Sequence, residues 1–424
     1  MEQASIINNK KVNIVLNAFI IFFLFGIFVA GIYVQTEEVK LTTDTSKNTV
    51  GQWKDAITGE EITDKTIVID PGESAEIEMS LDRDLTDDYI FFFYDTGFRT
   101  NAYINGQIIA EFGKDNIDRL GKETGSIWRK FSLSKDMSYQ VLTLSFYNDT
   151  DSPMGVQISK LYCGTEAYLS AIIIKESALE IVICFCCTVA AIILIIMAVV
   201  LKMNKFDVYT KRINTLAFLS LLAGLWVLSD GSVLQFVFEN ASVRYMLDKF
   251  SLFLVPIALN HYFELTVRKN PDFFRLLGFA YKLLMIICLF MYRLNIIHIS
   301  QTIFLVHAFL IMEILLIGHT GASEYRARRD LDSLSMVIGF PIIGLFMGAG
   351  LYVYYFSPDV TKVADIIGIG YMTFVVAMFL TQMKNTLEEY EERQKIKQYE
   401  DMMEAMKGLD FNIEEVGEEE NEDS

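Results

Sequence analysis

Glu264, Lys282 and Glu313 are charged residues well inside long apolar runs of this sequence. An ionisable side chain in such surroundings is costly and is a functional candidate by default. All three fall toward the same end of their runs, so the expectation is one buried ionic cluster that couples helix movement to the C-terminal tail. The bland alternative has Lys282 reaching out to the interface and Glu264 facing lipid headgroups. His261 precedes Glu264 by three residues and shares its helical face, which suits a hydrogen-bonded packing histidine. His307, near the middle of its run, reads as an interhelical hydrogen-bonding residue. A second set, Tyr94, Asp95, Arg99 and Trp128, lies at strand ends and turns of a β-rich region. An aromatic ring beside Arg or Asp there suits a sugar or a carboxylated metabolite, and core or edge packing is the plainer reading.

Other chemistries fail on their residues. A Schiff-base lysine inside the last apolar run is missing, because Lys362 and Lys384 only flank it. Asp230 and Asp365 lack the motifs of an intramembrane aspartyl protease. No H-E-x-x-H zinc motif occurs, and the expectation is no metal, no cofactor and no enzyme activity. The paired inverted repeats of many transporters have no counterpart here.

These residues are positioned by seven apolar segments, near 178–201, 213–229, 250–267, 276–292, 298–318, 334–356 and 364–383. Each is long enough for a transmembrane helix, and backbone in hydrocarbon must satisfy its own polar groups. An earlier run, 12–34, follows Lys10 and Lys11 and reads as a retained anchor, with a cleaved or uncleaved signal as the alternative. Twelve Lys and Arg fall in loops assigned to the cytoplasm against four in the short outer loops. By the positive-inside rule both termini are cytoplasmic and residues 35–176 lie outside. The layout expected is thus a cytoplasmic N-terminus (1–11), an anchor (12–34), an outer domain (35–176), a seven-helix bundle (177–386) and a cytoplasmic helix with an acidic disordered tail (387–424).

The net charge of −18 divides as +1, −11, +3 and −11 over residues 1–34, 35–176, 177–386 and 387–424. Acidity belongs to the two water-exposed parts, and neither carries the basic stripe that nucleic acid requires. Cys163 is the lone cysteine outside the apolar runs, so the outer domain depends on its own core. After a polar tether come eight β-rich stretches, 66–70, 75–81, 89–95, 100–104, 107–113, 127–133, 141–147 and 156–162, with no convincing amphipathic helix among them. Asn105-Gly106 supplies the positive φ values of a hairpin turn. The class expected is an all-β sandwich, jelly-roll-like. Gly344 and Gly348 form G-x-x-x-G, flanked by Gly339 and Gly350, which suits close packing within the bundle or, more sharply, a homodimer face. Pro256 and Pro341 are expected to kink their helices, or in the second case to mark a start.

One resemblance spans residues 50–386. It rests on Trp53, the Gly59-Glu60-Glu61-Ile62 turn, Pro71-Gly72, the strand YIFFFYD (89–95), Ala102 to Gly113 across the Asn-Gly turn, Trp128, Phe131, Leu133 and the closing stretch Ile158 to Gly164. The order resembles the bacterial seven-transmembrane receptors with diverse intracellular signalling modules, whose ectodomains resemble galactose-binding jelly rolls. The resemblance implies a cell-membrane receptor that binds an extracellular small molecule and signals inward. Such receptors usually continue into an output enzyme. Here only LEEYEERQKIKQYEDMMEAMKGLDF and an acidic end follow Thr386, which implies a separate cytoplasmic signalling protein as partner. Leu387 and Tyr390 open a heptad seam that Gln394 and Lys397 do not continue, while Met402, Met403 and Met406 offer an adaptable apolar face. The alternatives are a membrane scaffold or receptor remnant, and, further off, a transporter.

Overall fold

The computed structural model describes residues 52–422 apart from 63–65, 82–84, 86–88, 114–125, 150–153, 204–206, 239, 295, 297–298, 329–330 and 357–362. The expected N-terminus, anchor 12–34 and most of the tether lie outside the described residues.

Ten strands come first among the described residues: β1 (Lys54–Asp55), β2 (Thr66–Ile69), β3 (Ser74–Ser80), β4 (Tyr89–Asp95), β5 (Arg99–Ile104), β6 (Gln107–Phe112), β7 (Ile127–Ser132), β8 (Val141–Tyr147), β9 (Met154–Gln157) and β10 (Leu161–Thr165). They form three antiparallel sheets, ordered β1-β3-β8-β5-β6, β10-β4-β7 and β2-β9. Alternation decides which side chains point inward. On β3 and β8, Ile77, Met79, Leu142, Leu144 and Phe146 face one shared core with Phe91 and Phe93 of β4 and Phe131 of β7. Cys163 is buried in that core. The β5–β6 hairpin turns at Asn105 and Gly106 with φ of 47° and 78°, the left-handed pair this dipeptide favours. The last expected strand is split, since a 3-10 turn at Ile158–Lys160 separates β9 from β10.

The expectation of no helix in this region is corrected by α1 (Glu166–Glu176). The Thr165 hydroxyl caps it by accepting from the Tyr168 backbone N–H, Glu166 opens it and Lys175 lies in its last turn, as the helix dipole favours. The unbroken Ile172-Ile173-Ile174 run hides its periodicity in the sequence.

Seven longer helices follow among the described residues: α2 (Ala178–Met203), α3 (Asp207–Asp230), α4 (Ala241–Thr266), α5 (Pro271–Arg293), α6 (Ile299–Arg328), α7 (Leu331–Phe356) and α8 (Val363–Glu422). Five of them, α2, α3, α5, α6 and α8, contain stretches long and apolar enough to cross a membrane. Their outward faces are correspondingly greasy: Phe185, Ile192, Ile196 and Val199 on α2 and Leu276, Phe279, Ile286 and Phe290 on α5 are exposed. That is consistent with a multi-pass membrane protein, where lipid rather than water meets such faces. The helices run past the apolar runs because hydropathy marks only the part a bilayer covers.

Pro256 and Pro341 both lie inside helices, so neither marks a start. The glycines of α7 serve helix packing: a Cβ at Gly339 would lie 3.0 Å from Met378 of α8, and one at Gly344 3.1 Å from Ile314 of α6. Gly348 has open space around it. The acidic tail expected without structure continues as helix to Glu422. No proline interrupts residues 363–422, so nothing in that stretch breaks the backbone ladder.

Candidate functional site at the junction of sheets and helices

The two faces of β4 explain where the sheets meet the helices. Phe91, Phe93 and Asp95 point into the sheet core, whereas Ile90, Phe92 and Tyr94 point the other way. β7 and β10 flank β4 in register, placing Trp128 opposite Tyr94 and Tyr162 opposite Phe92. The result is an aromatic face: Tyr162 stacks on Phe92 with ring centroids 5.5 Å apart, and Tyr94 meets Trp128 edge-on at 5.4 Å. Lys160 lays its ammonium over the Tyr94 ring at 4.5 Å and pairs with Glu176 at 3.2 Å. Lys130 also pairs with Glu166. Leu169 and Ile173 of α1 cover the face, one turn apart on the same side of the helix.

Ser177 alone separates α1 from α2. The sheets are therefore joined to the first long helix both covalently and by packing. A second contact comes from the segment between α3 and α4, where the Trp128 backbone N–H donates to Gln235 Oε1 at 3.2 Å. Beneath it lies a polar layer. Arg244 of α4 is buried and donates from Nη2 to the Gly231 carbonyl at 3.1 Å. Glu180 of α2 is buried against Gly231. The Tyr94 hydroxyl is pushed up to about 12, first by burial and then by the carboxylate of Asp230, while Arg244 pulls the other way. The bottom of the sheet thus feels the charges at the ends of α2, α3 and α4.

This geometry separates the residues singled out by sequence. Tyr94 and Trp128 come together, but under α1 rather than open to a ligand. Asp95 is 1% exposed and serves the fold: its Oδ1 accepts the backbone N–H groups of Gly97 and Phe98, and its Oδ2 accepts from Arg129 at 3.2 Å. Arg99 lies on the five-stranded sheet and pairs with Asp149 at 2.9 Å. The four do not line one pocket, because Tyr94 and Asp95 are consecutive strand residues and must face opposite ways.

Glu264, Lys282 and Glu313 do not form one cluster either. Glu264 accepts from Arg275 at 2.7 Å and meets His261 at 3.1 Å. Glu313 is buried and accepts from Asn260 at 2.7 Å. Lys282 is exposed and has no ion pair among the described residues. Equal depth along a helix does not set rotation about its axis, and Lys282 is turned outward. His307 bonds across helices to the Tyr355 hydroxyl at 3.0 Å, as its central position suggested.

Gln235, Arg244 and Glu180 were not anticipated. The available signal is the density of charge from Asp230 to Lys249, where a short connection between two apolar runs would otherwise need little. Searches against family models, curated proteins and solved structures find no match to this chain.

Proposed function

We propose that this chain is a cell-membrane receptor or sensor whose sheet region lies outside and whose seven long helices all cross the bilayer, with both termini in the cytoplasm. The sheets form a jelly-roll-like sandwich on this reading, and the whole belongs with the bacterial seven-transmembrane receptors that the sequence order resembles. An extracellular small molecule favours one arrangement of sheets against helices, by its differential affinity for the two. The helices carry that shift to a separate cytoplasmic signalling protein.

The observation that carries this reading is the reach of α8. It begins beside the polar layer, packs through the helical core at Tyr371, Phe374, Met378 and Phe379, and continues as one helix to Glu422. At 1.5 Å per residue such a helix is about 90 Å long, roughly three times the hydrocarbon thickness. Beyond the core it exposes Ile396, Tyr399, Met403 and Met406, spaced three and four apart on one face. A displacement at the sheet end is therefore delivered to an apolar face at the other end without a joint.

The test is site-specific photocrosslinking from positions 399 and 403 of the full chain in native membranes, with a chain ending at Thr386 as control. A kinase, cyclase or response regulator recovered from both positions, in a yield that changes when Gln235→Ala removes the bond to Trp128, supports the receptor. Recovery of no such protein, or a yield indifferent to Gln235, moves the reading to a scaffold.

A further inference from the structure

A cavity of about 220 Å³ opens between α3, α4, α6, α7 and α8 at the end of the helices that carries the sheets. Its wall is divided. One side is apolar and aromatic, with Trp226 and Tyr371 in edge contact at 6.3 Å. The other side holds Asp230, Asp248, Lys249 and His307.

The polar groups on that side are not all partnered. Lys249 is the one cation among the lining residues that keeps its charge at neutral pH, and its ammonium sits 2.5 Å from Asp248 Oδ2. It also lies over the Tyr245 ring at 5.2 Å. That leaves Asp248 Oδ1 without a hydrogen-bond partner, in a residue that is only 5% exposed. A buried carboxylate oxygen with no donor is an expensive feature to keep in a folded protein. Asp230 stands on the same wall, open to the cavity and with no ion pair among the described residues. Two carboxylates thus share one ammonium on the cavity wall, with the Arg244 guanidinium the next cation behind it, and what the wall itself lacks is a donor for Asp248 Oδ1.

We infer that this cavity binds a small organic ammonium ion, its charged head between Asp248 and Asp230 and its apolar body against Trp226 and Tyr371. An anionic ligand would meet the two carboxylates and find the lysine already paired. A neutral sugar would give Asp248 Oδ1 a weaker donor than an ammonium does. The size also limits the ligand: roughly 150 Å³ holds benzene, so the cavity takes one ring with a short aminoalkyl arm. Aromatic rings add attraction for a cation at close range. Asp248 lies four residues after Arg244 on the same face of α4, and Val363, Ala364 and Ile367 of α8 complete the wall. Occupancy therefore bears on the polar layer beneath the sheets and on the signal-carrying helix at once. The binding claim needs only the cavity; its role as a signal rests on the receptor reading.

The experiment measures saturable binding of phenethylamine to the full chain in nanodiscs by calorimetry, with empty nanodiscs subtracted. 3-Phenylpropionate, the anion of matching shape, is the comparison probe. The expected result is binding of the amine alone, weakened about tenfold by Asp248→Asn, the loss of one charge-assisted contact, and also weakened by Asp230→Asn. The second variant alters a solvent-open side chain and serves where Asp248→Asn fails to fold. Asp136→Asn, far away on the sheets, leaves binding unchanged. Equal binding of amine and anion, amine binding indifferent to both variants, or no saturable binding of either phenethylamine or n-hexylamine overturns the site. Because no cytoplasmic protein is present, amine binding without partner crosslinking would sink the receptor and leave the cavity intact.

Discussion

Replacing Gly231 by alanine tests whether the polar layer is packed as described. A Cβ at that position would overlap Oε2 and Cδ of Glu180, with Oε1 the next atom out at 3.1 Å, well inside the 3.5–4.0 Å at which heavy atoms rest. Glu180 is 7% exposed, so it cannot swing aside within the layer without displacing a neighbour. The alternative is movement of the backbone at 231, whose carbonyl holds Arg244 and whose segment carries Gln235 to Trp128. Either relief is an overpacking response, worth about 1–3 kcal/mol. The assay is SDS unfolding of the full chain in bicelles, followed by the fluorescence of three tryptophans. Trp53 reports the sheet core, Trp128 the junction and Trp226 the cavity. Gly231→Ala should cost about 2 kcal/mol and perturb Trp128 before Trp53. Glu180→Ala removes the overlapping atoms and loses only the side-chain hydrogen bond with Ser177, and the double variant should recover stability to within about 0.5 kcal/mol of Glu180→Ala. A single alanine at 231 that costs nothing, or a cost that Glu180→Ala does not relieve, refutes the packing.

Two further outcomes follow from the sheets. Arg129→Ala should destabilise the sheet region by about 3 kcal/mol in thermal unfolding read at Trp53, because it leaves the Asp95 carboxylate buried without its cation; Arg99→Ala, which breaks an ion pair whose arginine is half exposed, should cost less than about 0.5 kcal/mol. The hydroxyls of Tyr94 and Tyr162 are each pushed from 10.0 to about 12, burial being the main cause. A raised pKa means the folded state holds its proton longer, so this stabilisation is complete below pH 10 and is lost as pH rises through 12. The buried Tyr94 hydroxyl contributes on the order of 2 kcal/mol to the fall and the partly exposed Tyr162 less, being screened by solvent, and the Tyr94→Phe, Tyr162→Phe double variant should show a shallower loss of stability over that range in an alkaline unfolding series.

How far the sequence could be read differs between levels. Strands with strict alternation and a clear turn, such as β3, β8 and the β5–β6 hairpin, were legible because period and turn chemistry are local. The helices were legible in position but short in length, since α8 keeps its ladder for about forty residues after the apolar run stops. Helix α1 was missed because three consecutive isoleucines carry no period. The candidate sites fared worse for a geometric reason. Tyr94 and Asp95 looked like a pair because they are adjacent, yet adjacency in a strand sends side chains to opposite faces. Glu264, Lys282 and Glu313 looked like a cluster because they share a depth, yet depth leaves rotation open. The junction itself joins Trp128 to Gln235 across 107 residues, and no local pattern announces such a partner.

On the receptor reading, the polar layer is a movable junction rather than a rigid strut. Arg244 keeps Nε and Nη1 without partners, while Glu180 Oε2 and Asp248 Oδ1, both acceptors, are also unmet among the described residues. Donors and acceptors are thus buried within one layer and left unjoined. A strut would be expected to join them, since each unmet buried group costs on the order of 1–3 kcal/mol. Leaving them apart raises this arrangement relative to any other in which a small movement of α4 against α2 joins Arg244 to Glu180, or in which a cation enters beside Asp248. Packed cores respond to such bias by switching between discrete arrangements rather than by bending. The sheets rest on one side of this layer through Trp128 and Tyr94, and the cavity opens on the other through Asp230 and Asp248. On the receptor reading, a ligand at either place acts on the same few unpaired groups, and α8 reports the outcome.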